Sequence, residues 1–139
     1  MSSTTATRNI ETVQTIYSAF QRGDVAAIVE RVADNVDWNN KATAAGEVPW
    51  NGDFSGRKNL PEFFATLAEL AEFHVFEPRT FMQDDRHVAV QVRIELTVKR
   101  TGKKVANESM HFWTFDDRGL VTAYRHFNDT AAELAAWRD

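Results

Sequence analysis

The chain has 139 residues, the length of one domain, and at 43% hydrophobic and 12% aromatic residues it is too apolar to stay disordered. Its 20 acidic residues outnumber 16 basic ones, so a dedicated nucleic-acid partner is not expected, and no apolar run approaches the ~20 residues of a membrane span. The absence of cysteine excludes disulfides, thiol nucleophiles and thiolate metal sites, and with a polar stretch over 1–9 lacking a signal-peptide core it makes the cytoplasm the expected location.

Residues 1–8 read as a disordered tail ahead of a single domain over 9–139. Ile10, Val13, Ile16, Tyr17 and Phe20 then recur at helical spacing. Gly23 ends that helix and Asp24 can cap a second, whose stripe is Val25, Ile28, Val29 and Val32. Val36-Asp37-Trp38 reads as a short strand. The stretch 39–57 holds Gly46, Pro49, Gly52 and Gly56 and reads as a long loop of the kind that often carries function. A third helix follows, with Pro61 in its first turn and Leu60, Phe63, Phe64, Leu67 and Leu70 on one face. Strands are expected over 73–82, 88–99, 105–115 and 120–127, and a short helix over 131–137. The order predicts an α+β fold in which three helices pack on the concave face of a curved antiparallel sheet and leave a pocket between the layers.

Three segments carry a resemblance to a known family: FQRGDVAAIVERVADNVDWNN, FSGRKNLPEFFATL and FDDRGLVTAYRHFNDTAAEL. The sequence resembles the SnoaL-like branch of the nuclear-transport-factor-2-like (cystatin-like) cone. The resemblance implies a cone with an internal site, on a fold that hosts isomerases, cyclases, dehydratases, epoxide hydrolases and non-enzymes. By comparison with ketosteroid isomerases, the general-base position falls on Asn40, the oxyanion-binding acid on His111 and the oxyanion-binding tyrosine on Ile16, next to Tyr17. An amide cannot abstract a proton, so that isomerase mechanism does not transfer. By comparison with limonene-type epoxide hydrolases, Trp38-Asn39-Asn40 is similar to the water-holding motif, Arg93-Ile94-Glu95 to the arginine–acid pair, and His126 occupies the position of the final acid.

The two relatives place opposite faces of strand 88–99 inside. A tight two-residue turn at Thr101-Gly102 would pair Leu96 with Asn107, Ile94 with Ser109, Val92 with His111 and Val90 with Trp113, all on one face. Continuing across the next turn adds Tyr124, His126 and Asn128. Burying this face is far cheaper than burying Arg93, Glu95 and Glu108 on the other. His111, Trp113, Tyr124 and His126 are therefore expected inside, and Arg93 and Glu95 outside. Only a bulge in that strand would make Arg93 and Glu95 catalytic.

The candidate catalytic residues are thus His111, Asn40 and His126. His111 is either a tunable acid/base or a satisfied core histidine. Trp38, Tyr17, Phe20, Trp113, Tyr124 and Phe64 are the candidate substrate-binding residues. No metal site and no cofactor are expected, since the four histidines lack ligand spacing and no phosphate-binding glycine motif occurs. The expected function is binding of a small, largely apolar molecule, with acid–base catalysis of cyclase, isomerase or hydratase type, or else a non-catalytic binding or scaffold module. Met110, Phe112, Val121, Ala123 and Phe127 on the convex face suggest a homodimer.

Overall fold

The computed structural model describes residues 2–40 and 46–139, with the backbone alone over 2–7. Helix α1 (Ser2–Gln21) begins inside the stretch expected to be a tail. It buries Val13, Ile16 and Tyr17 along one stripe, and Gly23, at φ +74°, turns the chain where a side chain would be strained. Asp24 caps α2 (Val25–Val29), its Oδ1 accepting from the Ala27 N–H at 3.2 Å.

That second helix is shorter than its apolar spacing suggests. Val32 belongs instead to β1 (Val32–Trp38), where it pairs with Val121 and is fully buried. The β-branched Val32 and Val36 suit a pleated, buried strand better than a helix end. Helix α3 (Leu60–Leu70) has Pro61 in its first turn and leads directly into β2 (Ala71–Gln83). Strands β3 (His87–Val98), β4 (Lys104–Phe115) and β5 (Val121–Phe127) follow, and helix α4 (Thr130–Trp137) closes the chain behind an Asp129 cap.

The five strands form one curved sheet in the order β1-β5-β4-β3-β2. Four of them are antiparallel neighbours as expected, whereas β1 joins the edge parallel to β5. The expected inward face of β3 and β4 is inward, but the register differs. Val90, not Val92, lies opposite His111, and Val92 lies opposite Ser109. The cause is the hairpin: Val98 N–H donates to the Lys103 carbonyl at 2.8 Å, so four residues, 99–102, form the loop, with Gly102 at φ +75°. This moves the pairing by two residues, one full side-chain period, and so leaves every face unchanged.

Strand β2 carries two bulges, at His74 and Arg79, where its pairing with β3 steps by one residue. They bring Phe73, Phe76 and Phe81 opposite Leu96, Ile94 and Val90, on the concave side, although their sequence spacing breaks the period of two. A third irregularity, between Thr114 and Phe115, turns Val121 inward to full burial and removes it from the convex strip expected to be exposed. The basic hairpin tip between β3 and β4 clasps the C-terminal end of α4. Thr101 Oγ1 donates to the Ala136 carbonyl, Lys103 Nζ to that of Arg138 at 2.7 Å, and Arg100 lies 5.2 Å over the Trp137 ring.

Candidate functional site

Between the helices and the concave face lies a cavity of about 80 Å³. Its walls divide by chemistry. Phe20 of α1, Phe63, Phe64 and Leu67 of α3, and Phe73 and Phe76 of β2 form an aromatic side. Asn107, Ser109 and His111 of β4, His126 of β5 and the neighbouring Asn40, Asn128 and Glu133 form a polar side. The polar set on β4 follows from pleating, since residues 107, 109 and 111 alternate onto one face.

At the deep end a hydrogen-bond chain fixes His111. The Trp113 indole N–H donates to the Tyr17 hydroxyl oxygen at 3.1 Å, and that hydroxyl lies 2.9 Å from His111 Nδ1. Tryptophan has only a donor, so the tyrosine oxygen accepts there and its proton goes to Nδ1. His111 is thereby assigned as the Nε2–H tautomer, with that edge left to the cavity. Burial, and secondarily the neighbouring His126, holds the His111 pKa well below 6.5, so the ring is neutral at pH 7. Burial pushes the hydroxyls of Tyr17 and Tyr124 well above their ordinary value, so both keep their protons.

His126 stands perpendicular to His111, ring centres 5.1 Å apart, with its Nε2 3.4 Å from Ser109 Oγ. Burial lowers its pKa, and Glu133 opposes that shift by favouring the charged ring. Asn40 is partly a structural splice: its Oδ1 accepts the His126 backbone N–H at 3.1 Å, tying the end of β1 to β5. Glu133, on α4 and only 3% exposed, accepts from Trp50 Nε1 at 3.2 Å, from Asn128 Nδ2 at 3.1 Å and from Asn51 Nδ2. These bonds tie the loop before α3, the end of β5 and the last helix around one end of the cavity. Two wall donors, Trp38 Nε1 and Asn107 Nδ2, are buried with no hydrogen-bond partner among the described residues.

The structure brings His111, Asn40 and His126 together in this cavity, with Trp38, Tyr17, Phe20, Trp113, Tyr124 and Phe64 around them. Trp38 stacks on Tyr124 at 4.3 Å between ring centres. Arg93 and Glu95 lie on the opposite face, where Arg93 Nε is 3.3 Å from Glu95 and its guanidinium also reaches Glu108. The pairing of β3 with β4 has no bulge, so the condition that would bring them inside is not met.

Sequence reasoning missed Glu133, Phe73, Phe76, Trp50 and Leu67. A lone acid among Ala and Leu in a short helix was the available signal for Glu133, and the broken period of the phenylalanines was the signal for the bulges. Among the described residues no group of three His, Asp or Glu could hold a metal ion, and no helix is long and apolar enough to cross a membrane.

The family described as SnoaL-like domain matches residues 13–124. No curated protein matches the sequence significantly. Among solved structures, an NTF2-like protein from Burkholderia xenovorans LB400 is similar, with TM-score 0.85 and 22% identity over 96% of this chain and 98% of that one. TerC co-crystallized with polyporic acid has TM-score 0.78 and 25% identity over 93% and 97% of the two chains. An LEH-like epoxide hydrolase from M. tuberculosis has TM-score 0.71 and 15% identity over 94% and 90% of the two chains.

Proposed function

Because this chain belongs to the SnoaL-like domain family, whose fold decides no single chemistry, we propose its function from the cavity: it binds a small, largely apolar, oxygen-bearing molecule and performs cofactor-free acid–base chemistry on it. The observation that carries this reading is the Trp113–Tyr17–His111 chain, which presents a neutral imidazole N–H to an aromatic-walled cavity. A neutral imidazole is too weak an acid to give up its proton outright, but it polarises a carbonyl or phenolic oxygen as an electrophile. His126, also neutral, is the base within reach, and the Glu133 carboxylate favours the charged ring it would become. Proton abstraction beside an oxygen held by His111 is the elementary step shared by isomerisation and cyclisation. The unpartnered Trp38 and Asn107 donors fit a ligand rich in acceptor oxygens. TerC, crystallised with polyporic acid, supports ligand binding within this shape.

The tightness of the cavity favours a second reading, a non-catalytic binding module. A screen of small apolar ketones, epoxides and polycyclic phenols, with polyporic acid included, separates the two. Quenching of the tryptophan fluorescence reports binding, and product analysis reports turnover. His126→Asn, which keeps similar volume but removes the base, is expected to cut turnover by ~10²–10⁴-fold while leaving affinity within a few-fold. A wild type that binds but converts no faster than this variant supports the binding module instead. A homodimer belongs to the same proposal, since Phe112 and Phe127 stay exposed on the convex face. Sedimentation showing a concentration-independent monomer would contradict it.

A further inference from the structure

Beside the cavity, and outside it, runs a solvent-open groove of about 730 Å³ between the turn joining α1 to α2, helix α3 and strand β2. Five side chains, Phe20, Phe64, Leu67, Phe73 and Phe76, line both spaces and form the partition between them. The partition is made of mutual ring contacts: Phe20 packs against Phe64 at 6.0 Å, Phe73 at 5.4 Å and Phe76 at 4.9 Å between centres. No hydrogen bond crosses it, so rotation of one ring opens it without breaking a polar interaction. The groove beyond is mainly apolar as well, floored by Val25, Ile28 and Pro61 and edged by the exposed Ala65 and Ala68, with Gln21 and His74 as its polar lining.

An apolar cavity that holds a benzene ring measures about 150 Å³, and this one is about 80 Å³. A molecule whose oxygen reaches His111 therefore has little room for the rest of itself. Typical small-molecule sites span ~300–1,000 Å³; the cavity at His111 falls short of that by itself, and the groove beside it supplies the missing space. The groove's apolar lining would gain by covering, whereas the polar end beyond Asn128 is closed by the Glu133 hydrogen bonds.

We propose that the ligand is a two-part molecule, an oxygen-bearing head at His111 joined to an apolar chain or aryl arm that passes between Phe20, Phe64, Phe73 and Phe76 and lies in this outer groove. This rests on the cavity being the site of the proposed function, and it adds the class of ligand and the place of its apolar half. The bulge at His74 acquires a role in it, because it turns both Phe73 and Phe76 toward the partition.

A 4-alkylphenol series from ethyl to octyl tests this, with affinity read from tryptophan quenching. In the wild type each added methylene is expected to tighten binding by ~3–4-fold until the groove is filled. Ala68→Trp, which fills the groove from an exposed position, should leave 4-ethylphenol affinity within about 2-fold of wild type and flatten the gain with chain length. Should that variant fold poorly, Ala68→Cys reacted with N-benzylmaleimide after folding blocks the same place, and the absence of any other cysteine makes the label specific. A wild-type series that is flat beyond 4-ethylphenol, or a blocked groove that tracks the wild type, overturns the groove while the cavity reading stands. No quenching by any member overturns both. Tight binding of 4-octylphenol that is unchanged in His111→Phe would place the chain in the groove without its head in the cavity, and would overturn the two-part ligand.

Discussion

Strands β3 and β4 are hydrogen-bonded neighbours with the same alternation of buried and open positions, yet they turn opposite chemistry to the concave side. From β3 come Val88, Val90, Val92, Ile94 and Leu96, all buried and all aliphatic. From β4, at matching depth, come Asn107, Ser109, His111 and Trp113, and they are just as buried. Burial therefore assigns the face and says nothing about its task. The aliphatic strand is held by dehydration alone, whereas every polar group on the other must find a partner or a ligand. The difference separates the part of the sheet that stabilises the domain from the part that can do chemistry.

The comparison breaks most sharply if charge is placed on the aliphatic strand. Val92 is fully buried opposite Ser109, and Val92→Asp should cost at least ~3 kcal/mol, because an uncompensated carboxylate would be buried there. Loss of the cooperative urea transition, or a large fall in its midpoint, is the expected outcome. On the polar strand the test is removal of one partner. Tyr17→Phe keeps the ring but strands Trp113 Nε1 and His111 Nδ1, and it should lower the unfolding free energy by about 1–3 kcal/mol. A variant as stable as wild type would mean that the chain contributes no net stability.

The third effect is graded by pH. His111 has a folded pKa well below its unfolded value near 6.5, so the unfolded chain binds the extra proton first as pH falls. Its contribution is complete above that unfolded value and is lost as pH drops below it, by up to about 1.4 kcal/mol per pH unit, until the folded pKa is reached. The aliphatic inward face of β3 has no titrating group to share in this loss. His111→Phe should therefore flatten the stability profile below pH 6.5, and an unchanged slope would assign the effect elsewhere.

Most of the architecture was readable because side chains on a strand repeat every two residues and on a helix about every 3.6. The inward placement of His111, Trp113, Tyr124 and His126 came from that period, and it survived a mistaken hairpin because the error was a full period. A strict period of two misplaces every side chain beyond an inserted residue unless the break in the pattern is itself read as a bulge. The bulges at His74, at Arg79 and at Thr122 were therefore missed, and with them the inward turn of Phe73, Phe76 and Val121. The parallel docking of β1 against β5 was equally illegible, since it joins segments some 90 residues apart and no periodicity in either segment names its partner. Glu133 stayed hidden for a different reason. Its partners Trp50, Asn51 and Asn128 come from separate segments, and only the folded chain assembles them.

The chemistry of the cavity turns on the protonation state of one ring. Long-range nitrogen–proton correlation spectra of histidine-labelled protein, assigned with His111→Phe and followed from pH 8 to pH 5, read it directly. The hydrogen-bond chain from Trp113 through Tyr17 predicts a neutral His111 with its proton on Nε2 at pH 7, and no protonation as pH passes through 6.5. A proton on Nδ1, or an imidazolium already formed at pH 6.5, would contradict the assignment of His111 as the donor that faces the cavity.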